Sequence, residues 1–198
     1  TADDDATALE LVKLGLDQAR RLGTPQLLAH GLTILGELSR ANGDPEQAEA
    51  AYREALDLDA RLGDRHYEAV NTLNTGHALM AQGRMRDALP YYRYGIELAT
   101  GIGSRLMMSW NLAGLANAFH LLGWPELSAR LIGTAQTTLE RLGASHGPVD
   151  QPLQDRRQQV LRDDLGSDVY ETLVAQGREL TLDEGIELAL EALEQQSV

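Results

Sequence analysis

Cysteine is absent from all 198 residues. That excludes disulfides and thiolate zinc sites, and it is compatible with a reducing compartment. No apolar run approaches the roughly 20 residues that cross a bilayer, and the start carries no signal-peptide pattern. A soluble, cytoplasmic protein is the expectation. An initiator methionine is also missing, Thr1 standing first, which fits a domain cut from a longer chain. Basic residues are few: 17 Lys and Arg against 30 Asp and Glu, a net charge of −13. A phosphate backbone or an anionic membrane is repelled by such a surface unless a basic stripe overcomes it. The only adjacent basic pairs are Arg20–Arg21 and Arg156–Arg157, so no direct nucleic-acid or membrane binding is expected. A neutral or basic peptide is electrostatically acceptable. Catalytic words are missing too: no HExxH, GxSxG, GxxxxGK[ST] or paired-carboxylate motif occurs.

What the chain has is a period. Gly23, Gly63, Gly103 and Gly143 stand 40 residues apart, and Gly43, Gly83 and Gly123 fall midway between them. Glycine accepts the left-handed conformation that ends a helix, so this grid describes helix pairs stacked into a solenoid, whose usual work is binding. Aligned on the period, Leu32–Ala60, Thr72–Thr100 and Leu112–Glu140 place small residues at matching points: Gly36, Gly76 and Ala116 on the first helix, and Ala48, Ala88 and Ser128 on the second. Tyr52, Tyr92 and Ile132 follow, then Ala55, Gly95 and Ala135. Small residues let backbones approach, and the large one fills the gap to the next pair.

The word LTILGELSRANGDPEQAEAAYREALDL resembles the tetratricopeptide repeat (TPR), and the resemblance runs from about Ala8 to Leu142. It implies an all-α, right-handed solenoid of antiparallel helix pairs. The repeats are expected over residues 1–143, with residues 144–198 as capping helices of the same domain. The first unit keeps only its second helix, and in the third Ala116 and Ser128 replace Gly and Ala. Thr24, Asp64 and Ser104 are expected N-caps, Pro25, Pro45 and Pro125 suit a first helical position, and Asp44 with Gln47 reads as a capping box. The stretch ASHGPVDQP after Gly143 ends the regular array.

Beyond it, QPLQDRRQQVLRDDLG, SDVYETLVAQGREL and TLDEGIELALEAL read as three amphipathic helices, with Thr181 and Glu184 as a second capping box. They are expected to cap the open end of the solenoid. The run from Ala129–Gly133 through Leu142–Gly143 to Gln176–Arg178 and Leu180–Glu184 resembles the end of the TPR region in large bacterial transcriptional regulators. These are LuxR-type and antibiotic-regulatory-type proteins with a signalling ATPase. That resemblance implies effector domains elsewhere in a longer chain.

In TPR folds the first helix of each pair lines the concave face at its second, fifth, ninth and twelfth positions. Carried onto this chain, the resemblance implies a groove of His30, Thr33, Glu37 and Arg40; Val70, Leu73, His77 and Met80; and Trp110, Ala113, Asn117 and His120. Asn74 stands where related proteins hold a peptide backbone, and an amide both donates and accepts. Trp110 is as suited to the core as to a partner. The carboxylate clamp of chaperone adaptors is not matched, because its lysines are missing. His30, His77, His120 and Glu37 are conceivable metal ligands, but successive helices stand about 10 Å apart, too far for a compact triad. His66 and His146 are expected in solvated turns. No enzyme activity, metal or cofactor is expected.

Three functions remain: an interaction and sensor module of a bacterial regulator that binds a protein or peptide segment; a peptide-pheromone or small-molecule receptor lined by Asn71, Asn74, Asn111 and Asn117; and a scaffold whose groove, with Leu73 and Met80 exposed, is filled by another copy as a homo-oligomer.

Overall fold

The computed structural model describes residues 2–147 and 150–195, with side chains from residue 7. Pro148 and Val149, in the expected break, lie outside the described residues. Among the described residues ten helices follow one another: α1 (Ala2–Leu22), α2 (Pro25–Ala41), α3 (Pro45–Leu62), α4 (Arg65–Ala81), α5 (Met85–Gly101), α6 (Arg105–Leu121), α7 (Pro125–Arg141), α8 (Gln151–Leu165), α9 (Ser167–Glu179) and α10 (Leu182–Gln195). No strand occurs among the described residues, and the fold is an all-α helical repeat. No helix among them is long and apolar enough to cross a membrane.

All seven glycines of the grid have φ between 62° and 93°, and a Cβ on any of them would meet nothing within 4 Å. They are therefore required by backbone conformation alone, which explains why they recur whatever surrounds them. The caps follow expectation in part. Asp64 accepts from the Tyr67 N–H at 3.2 Å and Ser104 from the Met107 N–H at 3.3 Å. Thr24 holds the N-cap position of α2 without capping it; its hydroxyl donates to the Ala19 carbonyl instead. The Asp44 box is only half formed. Asp44 accepts from the Gln47 N–H at 3.0 Å, but its own N–H goes to the Ser39 carbonyl and the Gln47 side chain accepts from the Ser39 hydroxyl. The box at α10 is complete: Glu184 accepts from the Thr181 N–H at 2.7 Å, and the Glu184 N–H donates back to the Thr181 hydroxyl at 3.2 Å. The two bonds Thr181 gives to this carboxylate hold the Glu184 pKa below the usual value.

The chain forms two compact units, Thr1–Tyr91 and Tyr92–Val198, divided within α5. In the first, α1 packs on α2, α2 on α3 and α3 on α4. Gly36 lies against the Tyr52 ring, where any Cβ would collide. Tyr52 is fully buried with Ala48 and Ala78, while Leu16, Leu32 and Ala55 form the neighbouring core. A buried polar chain crosses these helices: the Thr33 hydroxyl donates to Asn71 Oδ1 at 3.0 Å, and Asn71 Nδ2 donates to Asp59 at 2.8 Å.

Burial raises the Asp59 pKa from the ordinary carboxylate value. The Asn71 bond opposes that rise, as does His30, while Asp64 and Glu68 add to it. Between the unfolded value near 4 and the higher folded value the native state holds a proton that the unfolded chain has released, so this group's contribution to stability declines as pH rises through that window. Asp59→Asn keeps an acceptor for Asn71 and removes the buried charge. We expect its thermal midpoint at pH 7 to match or exceed wild type, with a flatter dependence on pH between about 4 and 7 in circular dichroism melts. Asp59→Ala, which strands the Asn71 amide, should cost about 1–3 kcal/mol.

In the second unit, α6 packs on α7 and α7 on α9, with α10 against both α6 and α7. Gly114 lies against the Tyr92 ring, and Gly95 against the Asn111 amide. The α7–α9 crossing sets backbone against backbone, since a Cβ on Gly177 would meet the Arg130 carbonyl and one on Gly133 the Val174 carbonyl. Thr134 Oγ1 donates to the Gly177 carbonyl at 2.8 Å across the same contact. So α9 and α10 lie over α7. The departure is α8, which is tied to α6.

Candidate functional site

The first unit holds five of the eight candidate residues. On α2, Glu37 is exposed, while His30 and Arg40 are half-buried. The His30 ring lies 4.2 Å from the Tyr67 ring between centroids, tilted by 39°, a contact no spacing rule in the sequence announces. On α4, Asn74 and His77 are buried, as are Leu73 and Met80. The expectation that these last two stand exposed in the groove is therefore wrong; the whole of α4 from Asn71 to Met80 is packed.

The second unit holds the other three, all on α6. Trp110 is half-buried, and its indole N–H finds no hydrogen-bond acceptor among the described residues. Asn117 is 3% exposed and donates from Nδ2 to Gln154 Oε1 of α8 at 2.7 Å. His120 Nε2 pairs with Asp164 Oδ2, also of α8, at 2.7 Å. A third tie joins Gln136 of α7 to Gln158 of α8 at 2.8 Å. Two residues expected to meet a ligand therefore meet the chain's own helix, through partners 37 and 44 residues away. Neither Gln154 nor Asp164 stands out in the sequence, because nothing in the local pattern of α8 says which of its polar residues turn inward.

Among the described residues, no group of three His, Cys, Asp or Glu side chains is placed to hold a metal ion. His66 lies in the first turn of α4, exposed and edge-on to Tyr67 at 5.6 Å. His146, expected to be solvated, is half-buried. Burial lowers its pKa against the pull of Asp150 and Asp155.

The helix-pair period and the small-against-aromatic contact of Gly36 and Tyr52 invite comparison with known repeat families. The tetratricopeptide repeat model matches residues 27–100. That stretch contains α3 and α4 and nearly all of α2 and α5. No curated protein matches the chain. A TPR is a protein-interaction fold, and the question for each polar side chain is whether it faces a partner or serves the repeat itself. Asn71 and Asn111, one period apart, serve the repeat: both are fully buried. Asn71 bridges Thr33 and Asp59. At the next TPR position Ala99 replaces Asp59, and Asn111 Nδ2 turns back to the Met107 carbonyl at 2.8 Å. These two asparagines are structural and do not line a receptor groove.

Proposed function

We propose that this chain is the partner-binding, sensing module of a bacterial transcriptional or signalling regulator, working in the cytoplasm and connected to effector domains in a longer polypeptide. Its first-helix face takes a protein segment. The observation that carries this reading is α8 on α6: the face expected to bind a segment is seated with one, tied through Asn117 and His120. On α2, His30, Glu37 and Arg40 offer the same kind of mixed polar surface. The resemblance of the tail to regulator TPR regions supports the sensing role, and the charge of −13 directs the module toward protein rather than nucleic acid. The pheromone-receptor reading is weakened, because Asn71, Asn111 and Asn117 are each engaged within the chain.

The test is site-specific photocrosslinking in native extract, with the photoreactive residue at Glu37 and, as control, at Asp57, which is exposed on α3. A discrete crosslinked protein from the Glu37 position and not from the Asp57 position is the expected result. Identical products from both positions, or none, would sink the reading. A product consisting of two copies of the chain would replace it with a self-association scaffold.

A further inference from the structure

The backbones of α6 and α8 do not pack closely, and the gap between them is a pocket of about 210 Å³. Its apolar wall is Leu121 of α6 with Leu153 and Val160 of α8, and Arg156 and Arg157 complete the lining beside Asn117 and His120. Leu121 and Val160 are each 50% exposed, so a substantial part of that wall faces water.

The charges of α8 are arranged unevenly around this gap. Asp155 accepts from the Gln151 amide at 2.8 Å, Asp163 from the Gln159 amide at 2.9 Å, and Asp164 pairs with His120. Arg162 pairs with Glu171 at 2.6 Å. Arg156 and Arg157 have no ion pair among the described residues, although the chain carries 30 acidic side chains. The helix therefore satisfies its acids with neutral amides and a histidine and leaves two adjacent guanidinium groups free, both at the edge of an apolar cavity. A guanidinium fork matches a carboxylate in shape and charge.

We propose that the α6–α8 pocket binds a small free carboxylic acid with an apolar tail, the tail against Leu121, Leu153 and Val160 and the carboxylate on Arg156 and Arg157. The volume lies below the roughly 300–1,000 Å³ of sites for drug-sized ligands, which suits one short chain or ring rather than a peptide with residues to accommodate behind its terminus. A ligand there touches α6 and α8 together, so binding holds α8 over Asn117 and His120. This would give the sensing module its signal, and that consequence rests on the reading above; the site itself does not.

Isothermal titration of the full chain with sodium octanoate, below its micelle concentration and at fixed ionic strength, tests the site. One octanoate per chain is expected, with octanamide and acetate each weaker by about tenfold or more, because one lacks the charge and the other the tail. In the double variant Arg156→Gln/Arg157→Gln, octanoate affinity should fall by about tenfold or more while the circular dichroism spectrum and melting curve stay unchanged. Equal binding of octanamide, undiminished binding to the double variant, or several molecules per chain would each overturn the assignment. Tighter binding of N-acetylglycylleucine than of octanoate would overturn it in favour of a peptide terminus. No partner enters the titration, so failure of the crosslinking test and failure of this one are separately visible.

Discussion

Gly177→Val is expected to detach α9 from α7 and to lower the thermal midpoint of the chain by about 6–12 °C, which corresponds to roughly 3 kcal/mol for a protein of this size. Overpacked cores typically lose about 1–3 kcal/mol when the neighbouring side chains move aside. Here the neighbour is backbone. A Cβ on Gly177 would meet the Arg130 carbonyl carbon and oxygen, atoms fixed by the hydrogen bonding of α7, which have no rotamer to change. The contact is reciprocal, since Gly133 presents its missing Cβ to the Val174 carbonyl, so relief by sliding one helix along the other is blocked at the second point. Separation would also break the Thr134 bond to the Gly177 carbonyl. Hydrogen exchange should show faster exchange across α9 and α10, with the amides of α3 and α4 keeping their protection. An unchanged melt with unchanged exchange would show that the helices do not cross at these glycines.

The same pair of glycines shows what a sequence reveals and what it withholds. The grid from Gly23 to Gly143 is legible because its cause is local: a positive φ at a helix end depends on no distant partner, so the spacing of the residues is the spacing of the helices. Helix boundaries in the C-terminal third follow from amphipathic pattern for the same reason. Gly133 and Gly177 stand in the chain as two ordinary helical glycines 44 residues apart, noticeable as part of a family likeness rather than as one contact. A close helix crossing is a property of two segments, and neither segment contains it. The candidate site divides along the same line. Counting places the first-helix positions on the expected helices, but it does not foresee that α8 lies on two of them. Nor does it separate Asn71, held by Asp59 and Thr33, from Glu37, which faces water, because asparagine at a helix face reads the same whether its partner is a ligand or a neighbouring helix. The capping box at Thr181 forms in full, whereas the one at Asp44 is half diverted by Ser39, a residue of the preceding helix with which the local motif does not reckon.

Tyr52→Ala and Gly36→Leu probe the contact that defines the repeat, and the informative result is their combination. Tyr52 is completely buried, so its truncation opens a cavity at an expected cost of about 3–5 kcal/mol, the range seen for large aromatic side chains. Gly36→Leu drives a side chain into the space occupied by that ring and should cost at least about 1–3 kcal/mol. Each change alone fails for the opposite reason, one by excess volume and one by its lack. In the double variant, the introduced leucine side chain would enter the space that Tyr52 vacates. The total loss measured by chemical denaturation should then be smaller than the sum of the single losses by about 1–3 kcal/mol, the coupling expected of residues in direct contact. Gly15→Ala provides the contrast, since a Cβ at that helical position meets nothing within 4 Å and the exchange should leave stability unchanged or raise it by about 0.5–1 kcal/mol. Strict additivity of the Gly36 and Tyr52 changes would mean that the two do not share one space, and the small-against-aromatic register on which the whole alignment of helices α2 and α3 rests would have to be redrawn.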